Sequence, residues 1–207
     1  MTTAAIRSAI SEPGNDGEFH IEASRPYRAE ILIHGTSDLL FHKWSVEDVA
    51  EKAAAAKGSA TKKTDNVESY VYRCPDGTLG VPGEYVRQAI ISAARYRQDP
   101  RSPRKSAVDL YKAGIVALTQ LATLGSATWD YLDRRRVQVQ RSGLTRMRPA
   151  MLAGWEATVI LQVLVPEYIG PDDLRSSLED AGKLVGIGDF RPSYGRFAVN
   201  RFEVLAA

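Results

Sequence analysis

Two amphipathic stretches, residues 84–97 and 171–185, each follow a strand-like segment, and this order constrains the fold more than anything else in the 207-residue chain. In the first, Val86, Ile90, Ala93 and Ala94 recur at helical spacing, with Ile91 beside them, giving one apolar face. In the second, Leu174, Leu178, Ala181, Leu184 and Val185 do the same behind a Gly170-Pro171-Asp172-Asp173 start, where proline suits the first turn and acids suit the helix dipole. Strand patterns flank them. Ile31 and Ile33 alternate with their neighbours in YRAEILIH at 27–34, residues 136–140 alternate, and 155–165 is the most apolar segment. Phe197, Val199, Phe202 and Val204 form a last strand whose phase breaks at Asn200-Arg201, which predicts a bulge.

The resulting order is strand 27–35, helix 84–97, strand 136–141, strand 155–165, helix 171–185 and strand 196–205. That is a βαββαβ series, the α+β ferredoxin-like (RRM-like) arrangement with an antiparallel sheet. Residues 1–25 read as an irregular arm and 26–207 as a single domain with insertions at about 36–81 and 99–134. Within the first insertion, Ser45 with Glu47 and Asp48 opens a helix to residue 57, and 58–63 is a flexible basic loop. Residues 67–73 and 78–81 read as a hairpin about Pro75-Asp76-Gly77. Pro100 and Pro103 argue against regular structure at 99–106, and a short helix is expected at 108–113.

The net charge of +2 conceals an uneven distribution. Residues 95–148 hold twelve basic and four acidic residues, a net +8, so the rest of the chain carries −6. Such asymmetry favours a polyanionic partner by electrostatic attraction. Cys74, the one cysteine, excludes an internal disulfide. No signal peptide is recognisable and no apolar run approaches the roughly 20 residues that span a bilayer, so a cytoplasmic protein is expected. No His/Cys/Asp/Glu group has metal-ligand spacing, and no cofactor is expected.

The segment GIGDFRPSYGRF at 186–197 joins the second main helix to the last strand. Gly186, Gly188 and Gly195 allow tight turns and close backbone approach, Arg191 and Arg196 offer donors to phosphate, and Phe190 and Tyr194 offer planar faces to bases. No Gly-Lys-Ser/Thr follows and no helix begins there, so it is not a Walker-type loop. A glycine-rich loop just before the last strand of a ferredoxin-like unit resembles the RAMP superfamily, the RNA-binding proteins of CRISPR systems. Residues 80–87 (GVPGEYVR) are similar to the IPGSSLKGALR-like strand-to-helix passage of backbone-type members. Pro82 and Gly83 match, Glu84 and Tyr85 stand where serines are usual, and Arg87 stands near the usual lysine. Residues 37–43 (SDLLFHK) and 186–197 also resemble the TPLLMHN-like turn and GIGDWRP…GRF ending of small phage- and prophage-encoded proteins.

The resemblance implies a subunit that coats single-stranded RNA, a guide or target strand, beside further copies of itself and companion subunits. The nucleic-acid-binding candidates are His42, Lys43, Trp44, Lys62, Lys63, Arg87, Arg134, Arg135, Arg136, Gly186, Gly188, Phe190, Arg191, Tyr194 and Arg196. Arg136, Gln138 and Gln140 share one face of their strand, either a solvated face or a nucleic-acid platform. The chain is expected not to be an enzyme. Two alternatives stand beside this reading. One is a metal-independent endoribonuclease using His42, for which no second catalytic group is positioned by the sequence. The other is a phage single-stranded-DNA-binding or annealing protein. His34 is expected to pack at its strand end, and Asp38 suits either turn chemistry or the place of a cleaving aspartate in some backbone-type members.

Overall fold

The computed structural model describes residues 25–43, 50, 54, 66–139 and 142–205. Residues 1–24 of the expected arm at 1–25, most of the expected 45–57 helix and the 58–63 loop fall outside these residues. The chain is a mixed α/β structure built on antiparallel sheets. Its main sheet contains β1 (Tyr27–Gly35), β7 (Ile115–Ala117), β11 (Glu156–Val163) and β12 (Phe197–Leu205), in the order β12-β1-β11-β7. Helices α1 (Gly83–Ala93) and α3 (Pro171–Leu184) pack on each other, α1 against β11 and α3 against β12. Period-two alternation decides which side chains the helices meet. Ala29, Ile31 and Ile33 pair with Leu161, Val159 and Ala157, and all six are buried. Full burial of a side chain such as Ile31 contributes about 1.5–3 kcal/mol.

The bulge falls where the phase break puts it. Leu32 pairs with Arg201 and Ile33 with Val199, leaving Asn200 as the extra residue. Helix α3 starts with Pro171 in its first turn, and the Gly170 N–H donates to the Asp173 carboxylate at 3.2 Å. The short helix expected at 108–113 is α2 (Val108–Gly114).

Several expectations are corrected. The segment 136–141 does not enter the main sheet. Its described residues, 136–139, lie in β9 (Tyr131–Val139), which pairs with β10 (Ser142–Met151) as a long hairpin, and β10 pairs with β2 (Leu39–Leu40) in a separate sheet. The sheet edge instead goes to β7, three residues long and too short to carry a readable period. Residues 67–70 form a 3₁₀ turn rather than a strand, and only β3 (Tyr72–Arg73) pairs with β4 (Leu79–Pro82) across the Asp76-Gly77 turn. Despite two prolines, β5 (Gln98–Asp99) and β6 (Ser102–Ser106) pair. Pro100 sits in their turn and Pro103 in a two-stranded edge, where no further ladder bond is demanded of it. His34 is half-exposed, with Nδ1 3.2 Å from Glu156 Oε1, because its position points away from the helix-covered face. Trp155 is buried, and its indole N–H donates to the Ser37 carbonyl at 2.9 Å.

Candidate nucleic-acid interface

The 186–197 loop is seated on the first β-turn region and on the β9–β10 hairpin. Asp189 N–H donates to the Leu40 carbonyl at 2.9 Å and Gly195 N–H to that of Asp38 at 2.7 Å. A Cβ on Gly188 would stand 2.6 Å from the Leu40 oxygen, and its φ is +79°. Glycine is therefore needed there for contact with the chain itself, where the sequence suggested approach to a ligand. Gly186 is likewise buried against the 194–195 backbone. Both carboxylate oxygens of Asp38 are engaged, Oδ1 by Ala153 N–H at 2.9 Å and Oδ2 by the Tyr131 hydroxyl at 2.7 Å. Asp38 is thus a turn organiser that ties β2 to the hairpin.

Cross-strand register sorts the arginines of the hairpin. Asp133 faces Arg148 and Arg135 faces Arg146, which places these four on one side, toward the loop. Arg135 makes a bidentate pair with Asp133, at 2.6 Å to each oxygen, and donates to the Tyr194 hydroxyl at 2.7 Å. Its guanidinium stacks 4.4 Å from the Phe190 ring centroid and 4.7 Å from that of Tyr194. One face of each ring expected to receive a base is therefore taken by Arg135. Each such contact contributes about 1 kcal/mol and helps hold Phe190 at φ 54°, a left-handed conformation costly for an aromatic residue. Arg148, 4% exposed, donates Nε–H to Asp189 Oδ2 at 2.9 Å and lies 4.2 Å from the Tyr70 ring centroid. Arg146 lies 3.7 Å from the same carboxylate. Arg134 and Arg136 project from the opposite side of β9 and are exposed. The side chains of Gln138 and Gln140 lie outside the described residues.

Beside this junction is a cleft of about 320 Å³, lined by His42, Tyr85, Gln88, Gly188, Asp189 and Arg191. A second cleft of about 460 Å³ shares Gly188, Asp189 and Arg191 and extends past Arg95 and Tyr96. Arg191 is exposed at the wall common to both. His42 Nδ1 is buried without a hydrogen-bond partner among the described residues. Burial, and then the Arg148 charge, lower the His42 pKa against the smaller opposing pull of Asp189, so the ring is neutral at pH 7. Tyr85 is pushed well above the ordinary tyrosine range, by burial first and then by its hydrogen bond with Tyr72, so its hydroxyl stays protonated.

Of the sequence candidates, the structure brings together His42, Arg135, Gly188, Phe190, Arg191 and Tyr194. Lys43 stands 5.5 Å from the Tyr72 ring centroid. Arg87 is committed elsewhere, to the Ile115 and Lys112 carbonyls at 2.6 Å each and to Glu84 at 2.7 Å, clamping α1 to α2 and β7. Arg196 donates to the Pro192 carbonyl and lines a separate cleft beside Lys183. Trp44, Lys62 and Lys63 lie outside the described residues. Tyr70, Tyr85, Gln88, Arg146, Arg148 and Asp189 were not among the candidates. Arg146 and Arg148 stood only in the basic 95–148 stretch, Tyr85 in the 80–87 motif and Asp189 in the 186–197 motif. Among the described residues, no group of three His, Cys, Asp or Glu side chains is placed to hold a metal ion, and no helix is long and apolar enough to cross a membrane.

No protein-family model matches the chain, and no curated protein matches it. Solved structures do. A chain in the cryo-EM structure of the type III-B Cmr-beta bound to cognate target RNA superposes with a TM-score of 0.54 at 9% identity, over 89% of this chain and 62% of that one. The fold is RAMP-like. The chain thus spans under two thirds of that neighbour's length. The crystal structure of Cmr6 from Pyrococcus furiosus aligns with a TM-score of 0.46 at 9% identity, over 84% of this chain and 98% of that one. In the RAMP-like fold seen here, the glycine-rich loop lies between the last helix and the last strand and abuts both the first turn and the long hairpin.

Proposed function

We propose that the chain is a RAMP-like subunit that binds single-stranded RNA where the 186–197 loop meets the β9–β10 hairpin, and that it does not cut the strand it holds. We also read the main sheet as ferredoxin-like, with β7 in the place of the second strand. Two crossovers, β1–α1–β7 and β11–α3–β12, then interleave, each skipping one strand of the order β12-β1-β11-β7. The strand would be a guide or target RNA in a CRISPR-like ribonucleoprotein with companion subunits and further copies of this chain. The neighbour captured with cognate target RNA supports that setting.

The observation that carries the reading is the loop–hairpin junction itself. It sets three arginines, Arg135, Arg146 and Arg148, against two carboxylates among the described residues, Asp133 and Asp189, beside the exposed Arg191. Arg134 and Arg136 extend the positive charge on the other side of β9. Phosphate neutralisation by such groups releases counterions, so affinity for a labelled RNA 30-mer should fall steeply between 50 and 200 mM salt, with a log–log slope of several units. The Arg134→Ala/Arg136→Ala variant should flatten that slope by about 1.4, at about 0.7 for each lost phosphate contact on a single strand. A salt-independent affinity would remove the reading. Equal affinity for the matching DNA 30-mer would favour the single-stranded-DNA alternative, since 2′-hydroxyl contacts are what separate the two.

The burial of His42 Nδ1 supports binding without cleavage. Nδ1 is buried without a partner among the described residues, so that nitrogen is not placed to take a proton from a strand at the surface. Wild-type protein and His42→Ala should both leave RNA intact in EDTA. Discrete products from wild type that vanish in the variant would establish the ribonuclease instead.

A further inference from the structure

We infer that the wider cleft, where the ends of α1 and α3 meet the 186–197 loop, holds one nucleotide of the bound strand, its base against the Tyr96 ring and its phosphate beside Arg95 and Arg191. This rests on the RNA-binding reading. It adds a stacking contact, indifferent to base identity, from a residue outside both the loop and the hairpin.

The cleft encloses about 460 Å³, within the range of sites that take one small ligand. The turn after α1 brings Arg95 and Tyr96 to it, the last residue of α3 brings Leu184, and the loop brings Phe190 and Arg191. Tyr96 is 67% exposed and Leu184 49%. A single exposed tyrosine needs no explanation. Tyr96 differs in that its backbone is fixed while its ring stays in solvent. The next residue, Arg97, donates its N–H to the Ala94 carbonyl at 3.1 Å, and its guanidinium donates to Ser176 at 2.6 Å and to Asp180 at 3.1 Å, both on α3. A ring held in this way is a platform on which any base can stack, since every base has a π face.

The charges of the cleft fit the other half of a nucleotide. Arg95 and Arg191 are both exposed. The C-terminal end of α1 would by itself repel a phosphate, but Arg95 Nε–H donates to the Ser92 carbonyl there at 2.9 Å and offsets the helix dipole. The one carboxylate of the lining, Asp189, lies 2.9 Å from Arg148 and 3.7 Å from Arg146, so its charge is already countered. Arg191 also lines the smaller cleft beside the hairpin junction, so a strand lying on the loop reaches Tyr96 without leaving the protein surface.

The experiment measures binding of the labelled RNA 30-mer over the same salt range by wild type, Tyr96→Ala, Tyr96→Phe and Arg95→Ala, with thermal melting of each. Tyr96→Ala should bind about fivefold to tenfold more weakly, toward the lower end of what base–aromatic stacking contributes. Its salt slope should stay that of wild type, because stacking releases no counterions. Tyr96→Phe should stay within about twofold of wild type, because it keeps the ring on which a base stacks. Arg95→Ala should flatten the slope by about 0.7, one phosphate contact on a single strand. A folded Tyr96→Ala protein with wild-type affinity overturns the site, leaves the RNA-binding reading standing and gives the cleft to a partner of another kind. Equal losses in Tyr96→Ala and Tyr96→Phe also overturn it, since the hydroxyl and not the ring would then make the contact. Should Tyr96→Ala melt early, Arg95→Ala decides, and an unchanged slope overturns the site. Failure of wild type to bind RNA overturns the RNA-binding reading, and the site with it.

Discussion

Gly188→Val should lower the melting temperature by about 6–12 °C, the equivalent of about 3 kcal/mol in a chain of this size. Two costs combine. At φ +79° a β-branched residue is strained by about 1–2 kcal/mol, and the added Cβ would lie 2.6 Å from the Leu40 oxygen and 2.9 Å from Leu39 Cδ1. The only relief is to lift the loop, which stretches the Asp189 N–H bond to that same Leu40 carbonyl. RNA affinity should also fall, because the lifted loop carries Phe190 and Arg191 with it. Calorimetric melting of the variant checks the order of events. A protein that melts with wild type while losing RNA binding would mean that the glycine makes room for the ligand rather than for Leu40.

Asp189→Ala should cost about 3 kcal/mol of unfolding free energy in urea titration, because it removes the partner of a charge that water does not reach. Arg148 is 4% exposed, and without Asp189 its guanidinium keeps, among the described residues, the Met147 carbonyl and the Tyr70 ring. Phe190 would also lose the carboxylate that accepts its N–H in a strained conformation. The companion variant Asp189→Ala/Arg148→Met should recover part of the loss, since a buried arginine replaced by an apolar side chain of similar length leaves no uncompensated charge. A double variant whose loss equals the sum of the two single losses would show that the pair does not interact in this way. The single variant should not weaken RNA binding through charge, as it makes the surface more positive.

What was legible in the sequence is what period and turn chemistry encode over a few residues. Ile31 and Ile33, the Val86–Ile90–Ala93 stripe, the Pro171 start and the phase break at Asn200 each announce their local structure, because side-chain direction repeats every 2 or 3.6 residues. The β9–β10 hairpin was read as a single strand, since the part that shows alternation, 136–140, is only a fragment of it and β10 lacks a clean apolar period. The edge strand β7 was invisible for the opposite reason, being three residues long.

The site divides along the same line. The 186–197 loop stood out through its glycines, arginines and aromatics, all within twelve residues. Its use of them did not, because each partner is distant in sequence. Leu40 receives Asp189, Arg148 neutralises it, Arg135 covers Phe190 and Tyr194, and Tyr85 and Gln88 close a cleft with His42 and Arg191. The sequence by itself determined β1, the two main helices, β11 and β12, the bulge and the basic character of the middle of the chain. Only the tertiary structure decided which arginines are spent inside the molecule and which, like Arg191, Arg134 and Arg136, are left exposed. Ion pairing and ring stacking depend on approach within about 4–6 Å between residues tens to more than a hundred positions apart, and no local pattern records that.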